Sequence, residues 1–216
     1  MRGVFVTGTG TEVGKTVVAA VIARTHASAG ERVAVFKPAV SGLAEGGESD
    51  HALLRRAAGS AQTDDGIAPY RYDPPVSPHL GAELAGEVIE RRLLLERAQA
   101  AADDSDFLVA EGVGGLLVPL TLGYLVRDLA RDLALPLVIA ASPGLGTINH
   151  TLLTVEAARA VGLEVAAIVL TPWPDEPDTV EASNREAIER LGDVRVEVLG
   201  TIDLASPESW AALSLP

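Results

Sequence analysis

Apolar residues fall in short runs separated by longer stretches of helical periodicity. Residues 3–7 (GVFVT) form a β-rich run, followed by a Gly/Thr segment and then an alanine-rich stretch, 15–28, of helical composition. A second strand is predicted at 32–36. Lys37-Pro38 ends it, because Pro removes a ladder donor and drives the residue before it towards extended geometry. Residues 50–58 read as a helix. Ser77-Pro78 has the form of an N-cap with Pro at the first helical position, opening a helical stretch to Ala101 that Gly86 interrupts. Further strands are predicted at 106–110, 137–141, 164–170 and 195–199, and further helices at 124–134, 149–161 and 178–191. The Pro-rich stretch 171–177 reads as a loop. Strands alternating with helices predict an α/β fold: one doubly wound, mainly parallel sheet with helices on both faces, forming a single domain over residues 1–216. In such sheets ligands bind beyond the carboxyl ends of the strands.

Composition narrows the chemistry. Cys is absent from the 216 residues, which excludes disulfides, thiolate metal sites and cysteine nucleophiles. The formal charge of −13 argues against non-specific attraction to nucleic acid or to an anionic membrane. Any anionic ligand must therefore be held by a local device. The longest nearly apolar run, 133–141, is too short to span a bilayer, and a soluble, cytoplasmic protein is expected. Of 17 basic residues, only Lys15 and Lys37 are Lys. On a solvated surface the two residue types are nearly equivalent, so the retained lysines either survive by chance or stand where a compact ammonium is needed. Asn is equally scarce, at Asn149 and Asn184.

The segment Gly8-Thr9-Gly10-Thr11-Glu12-Val13-Gly14-Lys15-Thr16 follows one strand and opens one helix, the context of a phosphate-binding loop. Backbone N–H groups would wrap a polyphosphate, Lys15 would neutralise its charge, and Thr16 can offer a hydroxyl to Mg²⁺. The strict pattern begins with Gly where this chain has Thr9, so the loop is a longer variant of a P-loop, or else a plain glycine-rich turn. Two carboxylates are placed to serve Mg²⁺. Glu111 ends a buried-looking strand and runs into Gly112, Val113 and Gly114; Asp50 opens a helix. A solvated strand end and a helix N-cap are the respective alternatives. The loop containing Gly144, Leu145, Gly146, Thr147 and Asn149 is either a structural turn or a backbone cradle for a carboxylate. The four His lack zinc spacing and read as structural or solvated, His26 at the surface.

Together these segments resemble the dethiobiotin synthetase family: VTGTGTEVGKT at 6–16, KPAVSG at 37–42, SDHALL around Asp50, SPH at 77–79, EGVGGLLVPL from Glu111 and LGTINH at 145–150. The tail after Leu170 departs from the family pattern. The resemblance implies a P-loop NTPase-like fold and closure of a cyclic urea on 7,8-diaminononanoate. The expected course is a carbamate formed with CO₂, its phosphorylation by ATP or another nucleoside triphosphate, and attack by the second amine. It further implies nucleotide contacts from Glu12, Val13, Gly14, Lys15, Thr16, Val17, Asp50, Glu111, Gly112, Val113, Gly114 and Thr171. Catalytic roles fall to Lys15 and Lys37, Mg²⁺ ligation to Thr16, Asp50 and Glu111, and substrate contacts to Thr11, Lys37 and Ser41. The family is dimeric, and Gly144, Leu145, Gly146, Thr147 and Asn149 are expected to reach substrate across the dimer interface.

Two other classes share features of the pattern. Nucleotide-gated dimeric switch ATPases of the partitioning type resemble it in fold but carry an extra lysine five residues before the loop lysine, where this chain has Gly10. The amide-forming ligases of corrinoid assembly share a related loop but add a glutamine-hydrolysing domain, for which this chain has neither the length nor a Cys.

Overall fold

In the computed structural model, which describes residues 1–213 and 215, the chain runs β1 (Gly3–Gly8), α1 (Lys15–Ser28), β2 (Val33–Phe36), β3 (Ala39–Val40), α2 (Asp50–Ala58), α3 (Asp64–Ile67), β4 (Tyr70–Arg71), α4 (Pro78–Ala85) and α5 (Arg91–Asp103). It continues through β5 (Phe107–Glu111), β6 (Pro119–Thr121), β7 (Tyr124–Leu125), α6 (Val126–Leu133), β8 (Leu137–Ala141), α7 (Thr147–Arg159), β9 (Val165–Trp173), α8 (Thr179–Gly192) and β10 (Val196–Gly200). Six strands form one sheet in the order β10-β9-β8-β1-β5-β2, every pair parallel.

The alternation of side chains along a strand builds two cores. From β1, Val4 and Val6 pack under α1 and α2, while Phe5 faces the opposite layer with α5 and α6. β1 is buried along its whole length because β5 and β8 flank it, and its carboxyl end marks where the strand order reverses. Helix starts follow local chemistry. Asp178 accepts from the N–H groups of Val180 and Glu181, and Glu181 Oε2 accepts from Asp178 N–H, which fixes the first turn of α8.

The expected strands and helices are present within a few residues, with instructive exceptions. The 171–177 stretch does not begin as a loop: β9 continues through Trp173, which pairs with Gly200 across an irregular step that leaves an extra residue on β9. The bulge accommodates Pro172, which has no N–H to give the ladder. Gly86, at φ 69°, ends α4 outright, and α5 starts afresh at Arg91. The predicted helix at 124–134 begins only at Val126, because Tyr124–Leu125 pairs with β6 in a small antiparallel hairpin. α7 starts two residues early, at the buried Thr147, after the left-handed turn at Gly146. His26 is not a free surface side chain; its ring stacks on Phe107 with centroids 3.7 Å apart.

Candidate functional site

The segment after β1 folds over its own lysine. A β-carbon at Gly8 would lie 2.8 Å from Lys15 Cγ and 2.6 Å from Val13 Cγ2, so the turn closes only around a residue without a side chain. Glu12 and Gly14 both adopt left-handed backbone, at φ 58° and 85°. Such reversals turn successive N–H groups inward as an anion cradle. Gly14 also faces Thr171 of β9, whose methyl would stand 2.5 Å from an added β-carbon. Lys15 is buried, and its ammonium donates to Gly10 O at 2.7 Å, inside the loop.

Three other elements bring charge to the mouth of this loop. Lys37 follows β2, Asp50 opens α2 after the N-cap residue Ser49, and Glu111 is the last residue of β5. Lys37 Nζ lies 2.5 Å from Glu111 Oε1 and 2.8 Å from Asp50 Oδ2, and Thr16 Oγ1 donates to Glu111 Oε1 at 2.8 Å. Glu111 is fully buried, so the solvated strand end is ruled out. Its other oxygen, Oε2, is buried without a hydrogen-bond partner among the described residues.

Burial pushes the Glu111 carboxyl up from the usual range, with the Lys37 ammonium and the Thr16 hydroxyl pulling the other way. For Lys37, burial would favour the neutral amine, but Glu111 and Asp50 outweigh it and hold the ammonium above its ordinary value. Burial also opposes ionisation of Asp50, yet Lys37 and Thr16 bring its carboxyl below the ordinary range. Among the described residues Lys15 has no carboxylate in contact, and burial lowers it. The oxygens of Thr16, Asp50 and Glu111 suit a hard divalent cation, and the unpartnered Oε2 is the kind of orphan such a cation would satisfy.

These groups line a cleft of 820 Å³ that also takes in Thr11, Glu12, Gly14, Val17, Ser41, Val113 and Gly114. Gly112 and Thr171 are not among the lining residues; a β-carbon at Gly112 would meet Val126 Cγ1 at 2.8 Å and Phe5 Cε1 at 3.1 Å, and Val13 packs onto the core beside α1. The remaining expected residues are not brought there: Gly144, Leu145, Gly146 and Asn149 are exposed and Thr147 is buried in the first turn of α7, all outside the cleft walls. Glu45, Pro75 and Val76 line the cleft without having been singled out from sequence. Asn184 was a weak compositional flag. It is buried on α8, and its amide donates to Pro143 O at 2.9 Å and Gly144 O at 3.1 Å, pinning the start of the 144–149 loop.

Comparison with known proteins gives the family. A family model described as "AAA domain" matches residues 2–210. The "ATP-dependent dethiobiotin synthetase BioD" of Bacillus subtilis (strain 168) is 38% identical over 91% of this chain and 85% of its own length. That of Anaeromyxobacter dehalogenans (strain 2CP-C) is 44% identical over 88% of the chain and 86% of its own length. The chain belongs to the dethiobiotin synthetase family. Among solved structures, "pNOB8 ParA bound to nonspecific DNA" superposes with a TM-score of 0.58 at 12% identity, covering 94% of this chain and 85% of that one. The kinase domain of Escherichia coli tyrosine kinase ETK gives 0.52 at 18% identity, covering 82% and 70%. At those identities the likeness is one of fold alone, and the fold is shared with proteins of other activities.

Proposed function

We propose that this chain is a dethiobiotin synthase that uses ATP as co-substrate. It would close the cyclic urea of dethiobiotin from 7,8-diaminononanoate and CO₂. In this reading one amine and CO₂ give a carbamate with loss of a proton, the carbamate oxygen takes the γ-phosphoryl group as ADP leaves, and the second amine attacks the resulting anhydride carbon, closing the ring and releasing phosphate and a proton. The observation that carries it, beside the family, is the Lys37–Glu111–Asp50 cluster facing the phosphate loop across one cleft.

The reactants gather negative charge, so the chain's work is positioning and charge compensation. Backbone N–H groups from Glu12 to Thr16 and the Lys15 ammonium hold the phosphates, with Val17, Val113, Gly114 and Thr171 around the nucleotide and Gly112 giving the strand end its close approach. Thr16, Asp50 and Glu111 would hold Mg²⁺, which when bound neutralises phosphate charge. Lys37 steadies the carbamate and the phosphoryl group in transfer, while Thr11 and Ser41 orient the diamine. The exposed loop carrying Gly144, Leu145, Gly146 and Asn149, with Thr147 at its base, meets the substrate carboxylate from a second copy of the chain. Function as a homodimer in the cytoplasm, without nucleic-acid or membrane partners, completes the reading.

Phosphate release measured with ATP and Mg²⁺, with and without the diamine and bicarbonate, tests it. Release that requires both supports the synthase. Release indifferent to the diamine would favour a nucleotide-gated switch instead.

A further inference from the structure

Of the oxygens suited to a metal in this site, Glu111 Oε1 and Asp50 Oδ2 are engaged by hydrogen donors, Glu111 Oε1 also by the Thr16 hydroxyl, while Glu111 Oε2 has no partner among the described residues. The engagement centres on one side chain. The Lys37 ammonium, 3% exposed, touches both carboxylates at once, at 2.5 Å from Glu111 and 2.8 Å from Asp50. Lys15 is different: its ammonium donates to the Gly10 carbonyl and contacts neither carboxylate. Both are cations in one cleft, but only one occupies the space between the acids.

We infer that Lys37 is the resident counter-ion of the metal carboxylates, and that a divalent cation and the Lys37 ammonium exclude one another there. A divalent cation on the remaining oxygens of Glu111 and Asp50 would stand close to the Lys37 ammonium in a buried site and repel it, and a buried carboxylate without any counter-charge is equally unfavourable. Lys37 therefore holds Glu111 and Asp50 in register, and it would quit at least one of them on metal binding. The released ammonium remains on the cleft wall, where the proposed carbamate binds. Metal binding and carbamate binding are thereby coupled, each favouring release of Lys37 from the acids. The same economy accounts for a lysine in a chain whose other basic residues, Lys15 apart, are all Arg. A single ammonium on a flexible stem can leave a carboxylate and turn, whereas a guanidinium fork pairs with it bidentately and holds.

The inference rests on the metal ligands assigned under the proposed function, but its test needs no turnover. Mn²⁺ binding to the nucleotide-free protein, read from the free-ion electron paramagnetic resonance signal, is compared in wild type, Lys37→Met and Lys15→Met. The expected result is about tenfold tighter binding in Lys37→Met and a distinctly smaller change in Lys15→Met, since removal of a non-contacting charge acts only at a distance. Equal effects, or no tightening in Lys37→Met, overturn the inference. A second measurement uses the folded wild type. Lysine labelled with ¹³C at Cε gives two signals, because the chain has two lysines. ADP alone is expected to move one, and addition of Mg²⁺ then to move the other. If the second signal stays in place with Mg²⁺ and ADP, or moves fully with ADP alone, Lys37 does not yield to the metal. A chain that passes these tests yet makes no dethiobiotin would refute the synthase and leave the exchange standing.

Discussion

Lys37 can be judged on charge and on shape separately. Lys37→Arg keeps the charge but puts a longer planar fork between Glu111 and Asp50, so product formation should fall by more than about a hundredfold while nucleotide affinity changes little. Steady-state kinetics and nucleotide titration check this, and activity within about threefold of wild type would remove Lys37 from the chemistry. Lys37→Met instead leaves Glu111 buried without a cation. The expected loss of stability near pH 7.5 is about 3 kcal/mol, the usual cost of breaking a buried pair. Glu111 in that variant has a folded pKa further above its unfolded value, so the folded chain binds the proton more readily and stability is regained as pH falls. Urea unfolding at pH 7.5 and 5.5 should show the gap to wild type narrowing at the lower pH. At this scale the sequence was readable: both lysines, Glu111 and Asp50 meet in one cleft. The pairing of Lys37 with both acids was not readable, because residues 37, 50 and 111 are brought together only by the crossovers of the sheet.

At the scale of elements, the phosphate loop is shaped by what lies behind it. Gly14→Ala would place a β-carbon 2.5 Å from the Thr171 methyl, on a backbone at φ 85°. It should destabilise the fold by about 1–2 kcal/mol from the left-handed backbone alone and weaken nucleotide binding at least tenfold. Calorimetric titration with ADP measures the second effect. The same junction bears on choice of base. Thr171 offers one short hydroxyl and is buried, Pro172 has no N–H, and Asn184 has both its amide hydrogens committed to the 143–144 carbonyls. With so few groups to read a base edge, CTP, GTP and UTP should support the reaction beside ATP. A kcat/KM preference for ATP above about 10³, or roughly 4 kcal/mol, would show base recognition elsewhere in the chain. The end of β9 is also where sequence reading erred. Prolines at 172 and 174 argue for a loop, and only the irregular pairing with β10 shows how a strand tolerates the first of them.

For the whole molecule, alternation of strands and helices was enough to predict the doubly wound, mainly parallel sheet, whereas the strand order, with β1 between β8 and β5, came only from the structure. The two small pairings, β3 with β4 and β6 with β7, were not legible, since their strands of two or three residues carry no periodicity. What one copy leaves open is the 144–149 loop, with Leu145 90% exposed and Asn184 holding its first turn. An apolar side chain so presented fits the proposed contact with a second copy. Leu145→Asp should shift the sedimenting species from dimer towards monomer and raise KM for the diamine while nucleotide affinity is kept. A variant that sediments as wild type with unchanged KM would separate this loop from both the interface and the substrate.

The central claim, that the cleft assembles a urea on a diamine using nucleotide energy, is tested most directly with ¹³C-bicarbonate. Purified protein, 7,8-diaminononanoate, ATP and Mg²⁺ are incubated with the label, and the product is analysed by mass spectrometry alongside released phosphate. The account predicts dethiobiotin labelled at its ureido carbon, formed in equal amount with phosphate and only when all components are present. Phosphate released without labelled dethiobiotin would contradict it.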